Sequence, residues 1–170
     1  MPTQWFYPSI ITQIAEVDNH IPWDDSGFLN IRTVDKSCLT TVRELLHIAN
    51  PTTHDIKMKT YFLYTSGYNC ANLPESISGI EVETSVMRGG RITDETIQLV
   101  YDGEFIGDNR ATFTLDVEKT YGSNIDLWGT SATKVMLEDS KFGVGIRFQS
   151  HPSWPHRESP RINYVRLRAW

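Results

Sequence analysis

No run in this chain approaches the ~20 consecutive apolar residues that a membrane-spanning helix requires, so a helical anchor is not expected. The opening residues Met1-Pro2-Thr3-Gln4 lack the basic start, apolar stretch and small-residue cleavage site of a secretory leader, so folding in a cytoplasm is expected. Cysteine is scarce, with Cys38 and Cys70 the only two among 170 residues. A scaffold dependent on disulfides carries more of them in a shorter chain. Both therefore read as core or half-buried thiols, and whether they pair is a question of geometry. Neither sits in a C-x-x-C motif, which removes the usual redox and zinc signature. Positive charge is also in deficit: 16 Lys and Arg stand against 21 Asp and Glu, a net charge of −5. Such a chain has no bulk attraction for nucleic acid or an anionic membrane. Basic residues gather only near the end, at Arg157, Arg161, Arg166 and Arg168. That cluster reads first as the solvated face of a last strand and second as a contact for an acidic partner.

Catalytic and metal signatures are missing as well. There is no Gly-x-Ser-x-Gly elbow, and nothing in the spacing pairs a serine with a histidine. No Walker or dinucleotide-binding glycine loop occurs. The five histidines, His20, His47, His54, His151 and His156, share no ligand spacing on one element. Asp18 with Asp24 and Asp25 lacks the pattern of a calcium loop and reads as a turn. Glu81 and Glu83 fall on one strand face, which is the wet face of a half-buried strand before it is a glycosidase pair. The expectation is no enzyme, no catalytic residue, no metal and no cofactor.

What the chain does have is a β pattern. Hydrophobic residues at 39% and charged residues at 22% are globular values and argue against wholesale disorder. Ile80, Val82, Thr84 and Val86 alternate with Glu81, Glu83 and Ser85, and Ile97, Leu99 and Tyr101 continue the same period of two. Asp102-Gly103 is a turn pair. Ala111 to Val117 reads as a strand with Phe113, Leu115 and Val117 on one face. Tyr121-Gly122 reads as the start of a longer loop, followed by a short polar stretch from Thr133 to Ser140. Phe142, Val144, Ile146 and Phe148 form one apolar stripe, with Gly143, Gly145 and Arg147 between them. Val165, Leu167 and Ala169 oppose Tyr164, Arg166, Arg168 and Trp170. A chain ending inside a strand is expected to pair that strand centrally. Residues 38–50 remain ambiguous. Thr41-x-x-Glu44 fits a helix-capping box, while Thr40, Thr41, Val42 and Ile48 fit a strand.

Several stretches occur in a telling order: Ile77-Ser-Gly-Ile-Glu-Val-Glu83, Ile92-Thr-Asp-Glu-Thr-Ile-Gln-Leu99, Ile106-Gly-Asp-Asn-Arg-Ala111, Tyr121-Gly122 with Leu127-Trp128-Gly129, Phe142-Gly-Val-Gly-Ile146 and Ile162-Asn-Tyr-Val-Arg-Leu167. Together they resemble a β-sandwich module that recurs in the tail, baseplate, neck and head-decoration proteins of tailed bacteriophages. The resemblance covers roughly residues 56–170. It implies an all-β, jelly-roll-like two-sheet antiparallel sandwich, strand over residues 38–48, and neither cofactor nor catalytic set. Read directly, Gly79 and Gly107 suit tight turns, Trp128-Gly129 suits an aromatic plug at one end of a sandwich core, and the glycine face of 142–148 suits a covering loop.

The expected organisation is an N-terminal arm over residues 1–21 and a sandwich domain over 22–170. Trp5, Phe6 and Tyr7, clustered in the arm, dock on their own domain or bury in a neighbour. Trp154, in a loop stiffened by Pro152 and Pro155 and close to His156, reads as a subunit contact, a platform for a sugar ring, or a residue docked on its own domain. The expected function is a phage structural protein, assembled in the host cytoplasm and resident in the virion. Its expected partners are other virion proteins and further copies in a symmetric homo-oligomer, with no nucleic acid and no membrane. The alternative is a carbohydrate-binding or host-adhesion module that recognises a surface glycan.

Overall fold

Alternation with a period of two becomes strand through most of the described residues. The computed structural model describes residues 4–14, 20–21, 39–40, 45–48, 56–57, 59–87, 92–113, 118–150, 157–158 and 161–170. Short strands come first: β1 (Ile10–Ile14), β2 (His20–Ile21), β3 (Leu39–Thr40), β4 (Leu45–Ile48), β5 (Ile56–Lys57), β6 (Lys59–Thr60) and β7 (Phe62–Ser66). The long strands β8 (Ile80–Met87) and β9 (Ile92–Tyr101) follow, then β10 (Glu104–Ile106) and β11 (Glu118–Ser123). A short helix, α1 (Lys134–Glu138), precedes β12 (Phe142–Ser150), β13 (Arg157–Glu158) and β14 (Arg161–Ala169).

Two sheets stack as a sandwich. The larger runs β1–β7–β12–β9–β10, with β6 also on β12 and β2 beside β6. The smaller runs β11–β8–β14–β3. Pairings are antiparallel except β2 with β6. A small third sheet joins β13, β4 and β5. The described parts of residues 38–50 are thus strand, the branch of the ambiguity that the β-branched residues favoured. The apolar stripes meet between the two main sheets. Phe142, Val144, Ile146 and Phe148 face Ile80, Val82, Ile162, Val165, Leu167 and Ala169, all essentially inaccessible to water. β14 is flanked by β8 on one side and by β3 and Phe6 on the other, the central position expected of it.

Three local readings change. The strand expected from Ala111 to Val117 is absent over Ala111–Phe113, where Phe113 adopts φ +57°, turns into solvent and is 56% exposed, and residues 114–117 lie outside the described residues. Tyr121 and Gly122 do not open a loop but pair with Val82 and Glu81 in β11, where the ladder satisfies their backbone. The polar stretch after Thr133 contains α1, with the Thr133 hydroxyl accepting from Met136 N–H at 3.3 Å as an N-cap.

A β-bulge sets the chemistry of β9. Arg147 pairs with Thr96 but Phe148 pairs with Asp94, which leaves Glu95 as the extra residue. The slip keeps Ile92 and Asp94 on the core side although Ile97 and Leu99 have the opposite parity. Asn109 fills the disrupted ladder. Its Oδ1 accepts from Ile97 N–H at 2.9 Å, and its Nδ2 donates to the Glu95 carbonyl at 2.9 Å.

Candidate functional site

Trp128 closes one end of the sandwich. Its indole is fully buried and donates to the Ile80 carbonyl at 2.9 Å. Its own carbonyl accepts from Asp108 N–H at 2.7 Å, and its N–H donates to Asp126 Oδ1 at 2.7 Å. Arg110 binds the same Asp126 oxygen at 2.7 Å. The backbone at Trp128 is held at φ +59°, a region disfavoured for a bulky side chain, so these contacts fix it there. Two glycines are forced by this plug. A Cβ at Gly107 would lie 2.1 Å from the Trp128 carbonyl oxygen, and one at Gly122 would lie 2.5 Å from the indole nitrogen. Gly79 has a different reason from the turn expected of it. Its φ is ordinary, but the backbone of Ser123 and Asn124 passes within 2.3 Å of where a Cβ would stand. Asp94, in the core near the other end of β9, accepts from Lys119 Nζ at 3.0 Å, Tyr121 O–H at 3.1 Å and Thr112 N–H at 3.1 Å. These contacts compensate the burial of a carboxylate.

The outer face of the smaller sheet carries the arm. Glu83 and Glu81 on β8 stand opposite Arg166 and Arg168 on β14 and pair with them at 2.6 and 2.5 Å. Tyr164 O–H also donates to Glu83, at 2.8 Å. Trp5 lies over both guanidinium groups, 4.5 Å from Arg166 and 4.4 Å from Arg168. Tyr7 O accepts from Arg166 at 3.3 Å. Phe6 points the opposite way, into the core, and exchanges backbone hydrogen bonds with Leu167 at 2.7 and 2.9 Å. Beyond it the chain crosses to the larger sheet and forms β1 on the edge of β7. The residues marked as candidate contacts thus divide. Trp5 and Tyr7 are partly exposed on a charged face, Phe6 belongs to the core, and Trp154 and His156 lie outside the described residues.

The outer face of the larger sheet is built around its missing side chains. The rings of Tyr64 and Phe105 close over Gly145 and meet edge to face at 5.4 Å, so neighbouring strands supply the cover expected of a loop. Arg147 lies 3.9 Å over the Phe62 ring and grips Glu95 through two nitrogens. Lys59 and Thr96 donate to the same carboxylate at 2.8 and 2.7 Å. Burial pushes the Glu95 pKa upward, but the hydrogen bonds from Arg147, Lys59 and Thr96 outweigh it and hold the group at about 2. Over Gly143, next to this cluster, the surface dips into a dent of about 190 Å³. A second hollow of about 370 Å³ opens between Gly107 and Gly129, against Ile106 and Met136.

Cys70 is buried in the core, and its thiol is pushed up to about 12 by desolvation and then by Glu138. Cys38 lies outside the described residues. Among the described residues no three His, Cys, Asp or Glu side chains gather as metal ligands. His20 and His47 fall in β2 and β4, while His54, His151, His156, Asp18, Asp24 and Asp25 lie outside the described residues. Among the described residues no helix is long and apolar enough to cross a membrane. The sequence had not singled out Asp94, Glu95 or the dent, because all three follow from a bulge and a missing Cβ that periodicity does not reveal. No family model matches this chain, and neither a curated protein nor a solved structure matches it.

Proposed function

We propose that this chain is a non-enzymatic structural protein of a tailed-phage virion, a tail, neck, baseplate or capsid-decoration component that joins protein neighbours. The observation that carries the reading is the convergence on Trp128. Ile80 from the first of the resembling stretches, Gly107 and Asp108 from another, and Gly122 with Trp128 from a third meet in one plug. Stretches that are separate in sequence are therefore parts of a single packing device, which is what a shared module requires. Contact surface supports the same reading. Ile125 and Val135 are 81% and 78% exposed, and Phe113 presents an aromatic ring to solvent, the residue type that anchors protein interfaces. The two-sheet core beneath them is well filled, with Trp128, Phe142 and Phe148 fully buried, which suits a structural part.

The test is mass spectrometry of gradient-purified particles from the source lysate. Peptides of this chain co-sedimenting with intact particles at a fixed ratio to the major capsid protein are expected. Peptides confined to the soluble fractions would contradict the reading.

A further inference from the structure

We propose that the dent over Gly143 is a binding site for one neutral pyranose ring of a glycan. The site lies on the outer face of the larger sheet and stands independently of the virion assignment. Its floor lies where β12 places Gly143, which has no side chain, between Ser66 of β7 and Val100 of β9. The floor cannot be filled by mutation, since a Cβ at Gly143 would meet the Thr65 carbonyl oxygen at 2.0 Å. Val100 adds apolar surface beside it, and the Tyr64 ring, fixed edge-on to Phe105, forms a wall. Thr12 and Ser66 bring hydroxyl groups to one rim. Asp102 and Lys141 bring a carboxylate and an ammonium to the other, paired at 2.9 Å and exposed by 63% and 57%.

Each part answers to one feature of a sugar ring. An aromatic wall and an apolar floor suit the C–H face of a pyranose, as polar-edged apolar rings suit Tyr in general. A carboxylate accepts from two neighbouring hydroxyls, and an adjacent ammonium donates to a third oxygen, so the rim reads a diol. The opposite charges cancel at the rim, which fits a neutral sugar better than an acidic one. Size sets the limit. At about 190 Å³ the dent lies below the ~300–1,000 Å³ of pockets that hold drug-sized ligands, so it takes one ring and leaves the rest of a chain outside.

The experiment is a two-dimensional amide NMR titration of the full chain with methyl glycosides of glucose, galactose, mannose and N-acetylglucosamine. Saturable shifts at Tyr64, Asp102 and Gly143 are expected for at least one of them, with a Kd of millimolar order. Asp102→Asn keeps a residue type that tolerates the left-handed turn at φ +53° and removes the carboxylate charge; it should weaken that binding about tenfold while leaving the spectrum folded, because an exposed ion pair contributes little to stability. Tyr64→Ala should abolish it; if that variant unfolds, Asp102→Asn alone decides. No localised shift at concentrations of about 50 mM would overturn the proposal. So would binding that Asp102→Asn leaves unchanged, or shifts that centre on another surface. Loss of the sugar site would leave the particle association untouched, and loss of particle association would leave the sugar site untouched.

Discussion

An indole N–H with a single buried partner is a sensitive place to cut. Replacing Trp128 by Phe keeps most of the apolar volume but leaves the Ile80 carbonyl without its side-chain donor. The expected loss is about 2 kcal/mol in urea unfolding, the scale of an unpaired buried polar group plus a partly filled cavity. A variant within about 0.5 kcal/mol of the parent would show that Trp128 is not the keystone of that end. Glu95 makes a prediction about acid. Its folded pKa of about 2 lies below the ordinary 4.5, so its contribution is full above pH 4.5 and disappears as pH falls toward 2. Glu95→Gln should therefore cost about 1–2 kcal/mol at pH 7, after allowance for solvent screening of a surface network, and about half of that or less at pH 3. Equal losses at both pH values, read from urea midpoints, would assign the effect to packing and not to charge.

At the scale of elements, the N-terminal segment is a strap across both sheets, and its neighbouring aromatics have opposite duties. Phe6 is 5% exposed and fills the core beside Leu167, whereas Trp5 rides on the Arg166 and Arg168 guanidinium groups outside it. Phe6→Ala should cost about 3 kcal/mol, as buried Phe truncations do. Trp5→Ala should cost about 1 kcal/mol, the scale of an exposed cation–π contact. Denaturant unfolding of the two variants separates these roles, and equal losses would contradict the division. Strand β8 was legible because one face is wet: Glu81 and Glu83 mark its outside as clearly as Ile80 and Val82 mark its inside. The errors fall where another constraint overrides the alternation. Phe113 lies in a left-handed turn, Tyr121 and Gly122 are recruited by a partner strand, and α1 is too short for a helical period to register.

For the whole molecule, two sheets enclose a core that includes Trp128, Phe142 and Phe148, and the stripes visible in the sequence are the faces that line it. The candidate surfaces were less legible. The aromatic arm announced itself by composition, but its split into a core residue and two face residues depends on register, which one residue of slip reverses. The dent over Gly143 depends on which strands flank a glycine, information that exists only once the sheet is assembled. The central claim is the proposed role, and it concerns place: it takes the chain for a virion component that sits at a defined position among other proteins. Immunogold electron microscopy of lysate particles, with antibody raised against the purified chain, tests it most directly. The account predicts gold at one fixed position on intact particles, and an unlabelled particle population with the chain free in the lysate would contradict it.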